Sequence, residues 1–125
     1  MIYKHGAELH PYLQDVINEI KGDGYYVLIT DTARTFEEHV NIYKDLYPDN
    51  WHEIIPLGSM HLPTWISEFC LAMDINVWKG DKKLSGDEIK ELVQKQTTKL
   101  FSFGIGKTML HVDYGRNHVV EWRYS

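Results

Sequence analysis

The chain has 125 residues, 43% of them hydrophobic and 25% charged, the composition of one globular domain able to bury a sizeable core. Thirteen Lys and Arg against eighteen Asp and Glu leave a formal charge of -5 and no basic stripe. That excludes a general nucleic-acid binder and disfavours unaided attachment to an anionic cell wall. A lone Cys70 excludes an intrachain disulfide and a cysteine-rich zinc knuckle.

Leu9, Leu13, Val16, Ile17 and Ile20 predict a helix over residues 7–21, ended by Gly22 and Gly24. His5 and His10 flank its start and are expected to be exposed. Residues 25–30, β-branched and aromatic, read as a strand leading into Asp31-Thr32-Ala33-Arg34. Thr35 is then the expected N-cap, with Glu38 completing a capping box for a helix striped by Phe36, Val40, Tyr43 and Tyr47. Arg34 stands where it can hold a substrate carboxylate in a two-point ion pair or bridge Asp31 or a nearby Glu. Glu37, Glu38 and His39 point in different directions on a helix and read as a solvated face. Residues 48–58 read as a loop, and their His52-Glu53 pair lacks the second histidine of an HExxH zinc motif.

The stretch 59–78, SMHLPTWISEFCLAMDINVW, carries the strongest strand signal. Leu71, Met73, Ile75 and Val77 fall on one face and form an apolar row. Cys70, Ala72, Asp74, Asn76 and Trp78 fall on the other, which leaves Asp74 off the core and a thiol on its side of the strand. Residues 79–83 read as a turn. Ser85 and Glu88 form a second capping-box signature for a helix striped by Ile89, Leu92, Val93, Gln96 and Leu100. Residues 101–106 contain two glycines and read as a sharp return into a second strand. In that strand Leu110, Val112 and Tyr114 oppose Met109, His111 and Asp113. Gly115, Arg116 and Asn117 then read as a hairpin turn before a mixed, edge-like strand over residues 118–124. Two strands that each put a metal-capable side chain on the non-core face can lie side by side, and His61 upstream would complete a His/Asp/His zinc set.

Ser59-x-His61, Ala72-x-Asp74-Ile75 and His111-x-Asp113, in that order, resemble the zinc D-Ala-D-Ala carboxypeptidase and L-alanyl-D-glutamate endopeptidase family, which shares its fold with the hedgehog signalling domain. In that family S-x-H-x-x-G-x-A-x-D supplies a His and an Asp ligand, and a late H-x-H, H-x-D or D-x-x-H segment supplies the second His. An Arg in a segment such as ITSGYRT binds substrate, and LITDTART over residues 28–35 is similar to it. The resemblance runs from Tyr25 to about Trp122. It departs at one place: thirteen positions separate His61 from Asp74, more than the family pattern allows, and its Gly is missing. An insertion within residues 62–69, where Pro63, Thr64, Ser67 and Glu68 suit a loop, accounts for the extra length. The alternative is that His61 is an ordinary polar loop residue.

The resemblance implies a single α+β domain over residues 1–125, a small and mainly antiparallel sheet with helices packed on one face. It also implies Zn²⁺ held by His61, Asp74 and His111, with Arg34 and Ser59 binding substrate. The ion would activate a water molecule and polarise the scissile carbonyl. Asp113 is either the general base or a carboxylate that orients a ligand imidazole, with Glu121 and His118 as the next candidates for the base. The expected activity is hydrolysis of peptidoglycan stem peptides at D-amino-acid-containing bonds, with the wall peptide as partner and no role for nucleic acid or membrane. The N-terminal residues show no signal peptide and no segment is long enough to span a membrane. A soluble, cytoplasmically made protein is therefore expected, with an endolysin-like or virion-borne route to the wall. Two other readings stand beside this one: a non-catalytic structural or binding module of the same fold, and a metal-free carbohydrate cleft lined by Trp51, Trp65, Trp78 and Trp122.

Overall fold

A computed structural model describes residues 8–32, 36–54, 69–116 and 118–124. A two-residue strand β1 (Glu8–Leu9) runs directly into helix α1 (Pro11–Gly22). The helix starts later than its apolar spacing suggests, because Pro11 occupies the first turn and His10 caps it, its Nδ1 accepting from the Tyr12 N–H at 3.1 Å. His10 is therefore not an exposed flank. It is half-buried among the rings of Tyr12, Phe69 and Tyr114, and burial lowers its pKa. Leu13, Val16, Ile17 and Ile20 form the buried stripe of α1.

The remaining elements are β2 (Tyr26–Asp31), α2 (Phe36–Leu46), a single turn α3 (Trp51–Ile54), β3 (Phe69–Cys70), β4 (Ala72–Lys79), β5 (Lys82–Lys83), α4 (Gly86–Gln96), β6 (Phe101–Ile105), β7 (Leu110–Tyr114) and β8 (Glu121–Arg123). The main sheet has the order β2-β4-β7-β6-β8, with β5 added to β4, and β1 pairs with β3 in a separate two-stranded ribbon. The fold is α+β, as expected, but the sheet is mixed. β8 runs parallel to β6, and β1 runs parallel to β3.

Two stretches differ from their sequence reading. Residues 101–106 are not a plain return: Phe101–Ile105 is a fully buried strand inserted between β7 and β8. Its apolar content permits this, and the tight connection falls later, where Gly106 N–H donates to the Met109 carbonyl at 2.9 Å. The last strand is not the second arm of a hairpin with β7. The chain passes β6 and pairs with its far edge, so β8 is an edge strand as expected, but through a parallel register.

The core lies between the sheet and helices α1 and α4. Met73, Ile75 and Val77 of β4 and Leu110 and Val112 of β7 point into it, as the alternation requires. Ile89 and Val93 fill it from α4, whose start is fixed by the Ser85/Glu88 capping box. The helix stops before Leu100, which is exposed. Cys70 also belongs to this core. The chain leaves regular strand geometry at Leu71, between β3 and β4, and the thiol donates to the Ala72 carbonyl at 3.1 Å, so it is not beside Asp74. Among the described residues no helix is long and apolar enough to cross a membrane.

Candidate metal centre

The sheet face turned away from the core carries a row of residues in direct register. Asp31 of β2 pairs with Asp74 of β4, Asp74 with His111 of β7, His111 with Gly104 of β6, and Gly104 with Trp122 of β8. A register pair brings Cβ atoms about 5 Å apart, and here the side chains close the gap. His111 Nδ1 lies 2.9 Å from Asp74 Oδ1. The expectation that the two strands present these groups side by side is met by direct adjacency.

The other imidazole nitrogen is also engaged. His111 Nε2 lies 2.7 Å from Asp113 Oδ2, two positions along the same strand face. Asp113 is completely buried and its carboxylate is held from the far side by Arg116, with Nε donating to Oδ1 at 2.8 Å and Nη2 to Oδ2 at 2.9 Å. Gly115, at φ +104°, turns the chain after β7 so that Arg116 folds back onto Asp113. Burial by itself would lower the His111 pKa, but hydrogen bonds and charge from Asp113 and Asp74 outweigh it and the net shift is upward. Burial would raise Asp113, yet His111 and Arg116 hold its carboxyl below the ordinary carboxylate range.

Asp74 borders an open cleft of about 600 Å³, lined on one side by Ile42, Tyr43 and Leu46 of α2 and on the other by residues 106–109. This corrects the reading of α2. Ile42, Tyr43 and Leu46 share its cleft-facing side at helical spacing, and His39 is fully buried rather than part of a solvated face. Two further candidates lie away from the cleft: Glu121 forms an ion pair with Lys90, and His118 is exposed. Arg34, Ser59 and His61 lie outside the described residues, as do Thr35 and Trp65.

Two side chains that the motifs did not single out complete the surroundings of His111. The Trp122 ring centroid is 5.1 Å from the imidazole and the Arg116 guanidinium is 5.4 Å from the Trp122 ring. Gly104 makes this possible: a Cβ there would meet indole atoms at 2.6 Å to 2.7 Å. Gly104, between Phe103 and Ile105 in an apolar stretch, was the available signal. Trp51, Trp78 and Trp122 are each half-buried and none belongs to the core cluster.

No family model matches the chain, and neither a curated protein nor a solved structure is significantly similar to it.

Asp74 and His111 fit a divalent cation such as zinc. A carboxylate oxygen and an imidazole nitrogen are already within 2.9 Å of each other beside an open cleft. Ligand atoms about 2.0–2.2 Å from a tetrahedral ion stand only a little farther apart than this. Among the described residues no group of three or more candidate ligands is assembled.

Proposed function

We propose that the protein is a zinc-dependent peptidase of the hedgehog/DD-peptidase type that hydrolyses peptidoglycan stem peptides. The observation that carries the reading is the Asp74–His111 pair, a carboxylate and an imidazole in contact at the edge of a cleft, with a buried carboxylate behind the imidazole. A ligand histidine backed by a carboxylate on its other nitrogen is a recurrent arrangement in zinc sites. His61 is the proposed third ligand, and Arg34 and Ser59 the groups that receive substrate. When bound, zinc supplies an activated water and polarises the carbonyl to be attacked.

Between the two roles open to Asp113, the geometry favours orientation over general-base catalysis. Both carboxylate oxygens are engaged and the side chain has no exposure, whereas a base must reach the water it deprotonates. Asp113 accepts from His111 Nε2–H, fixes the tautomer, and directs Nδ1 toward Asp74. This also gives weight to the second reading, a non-catalytic module of the same fold, because Glu121 is paired with Lys90 away from the cleft.

The deciding experiment is elemental analysis of the purified protein and a His61→Ala variant, followed by digestion of peptidoglycan stem peptides. One zinc per chain, lost in the variant, together with peptide cleavage supports the peptidase. Zinc without cleavage favours the binding module. Absence of zinc after reconstitution overturns the metal reading.

A further inference from the structure

We infer that Arg116 and Trp122 are positioning residues that commit His111 to binding a metal through Nδ1. The inference rests on the proposed metal centre, and deepens it by assigning residues that no motif assigns. Either nitrogen of an imidazole can ligate, and the choice is set by the hydrogen bond that the other nitrogen makes. Here Nε2 faces Asp113, so the direction of His111 depends on how firmly Asp113 is held.

Asp113 is held by a planar two-point contact from Arg116, a geometry that a single ammonium cannot reproduce. The carboxylate is fully buried, and the Arg116 side chain is 33% exposed. The guanidinium in turn lies against the Trp122 ring, and the same ring lies against the imidazole. Trp122 is on the sheet face opposite the core, seated over Gly104, so general core packing does not account for its place. Trp122 and Asp113 thus bound His111 on sides away from Asp74, and Arg116 holds both of them from behind. The imidazole is left one productive direction.

The test is a zinc-affinity titration against a chromophoric chelator for the wild-type protein and the variants Arg116→Gln, Arg116→Lys and Trp122→Phe. Long-range ¹⁵N–¹H spectra of the imidazoles accompany it. The wild type is expected to show His111 protonated at Nε2 when zinc is bound. Arg116→Gln is expected to bind zinc about 10–100-fold more weakly, the usual effect of losing such a supporting contact, and to show mixed His111 tautomers without metal. Arg116→Lys, which keeps the charge and loses the fork, falls between the two. If Arg116→Gln fails to fold by circular dichroism, Arg116→Lys and Trp122→Phe decide in its place. Wild-type affinity and tautomer in the folded variants overturn the positioning role while the metal centre stands. Absence of zinc binding in the wild type overturns the metal centre itself.

Discussion

Gly104 and Trp122 face each other across the parallel pairing of β6 and β8, and the indole occupies the space that any side chain at position 104 would take. The sheet therefore has a gap in its row of side chains where an aromatic ring from the edge strand folds inward to reach His111. A glycine in a buried strand is costly in itself, and its retention here follows from that close approach.

Gly104→Ala is accordingly expected to destabilise the protein by about 1–3 kcal/mol, the range for overpacking a well-filled site. A urea titration followed by tryptophan fluorescence measures both the lowered midpoint and a changed environment for Trp122. An unchanged midpoint would mean that the indole moves aside freely.

Asp113→Ala removes the partner of two groups at once. It leaves the His111 Nε2–H and the Arg116 guanidinium unsatisfied, and is expected to cost about 3–5 kcal/mol, as breaking a buried ion pair does. On the orienting role it also weakens zinc binding. A variant that binds zinc with full affinity and loses only turnover would return Asp113 to the role of general base.

His111 gives the metal-free protein a pH dependence whose sign follows from its raised pKa. The folded state binds this proton more tightly than the unfolded chain. The contribution is therefore complete below the unfolded value of about 6.5 and is lost as pH rises through the higher folded value. Asp113 acts at the other end: its lowered pKa contributes stability above about 3.9 that disappears as pH falls through the folded value. Thermal melts in chelator should show a plateau between these limits. Zinc affinity should rise with pH through the His111 transition, because the ion and the proton compete for Nδ1.

Ser85→Ala should lower stability by about 1 kcal/mol, since the hydroxyl accepts from the Glu88 N–H at 3.1 Å and starts α4 against the core. Chemical denaturation measures it, and zinc content serves as the control that should not change.

Local sequence determined a good part of this molecule. The two-residue alternation of β4 and β7 followed from the placement of Met73, Ile75, Leu110 and Val112, because a strand with one buried face has to repeat with that period. The capping box at Ser85 and Glu88 was equally legible, since its donors and acceptors lie within one helical turn. The tertiary structure decided which groups meet. Asp74 and His111 are 37 positions apart and touch only because β4 and β7 adopt one register, in which a slip of one residue would turn each side chain to the other face. The same holds for β6, whose apolar run resembles a helix exit until β7 and β8 flank it, and for His39, whose burial depends on which side of α2 meets the rest of the fold. It holds most clearly for Arg116 and Trp122. Nothing in their neighbours announces a role, because that role comes from a turn that brings Arg116 onto Asp113 and a parallel strand pairing that brings Trp122 onto the imidazole.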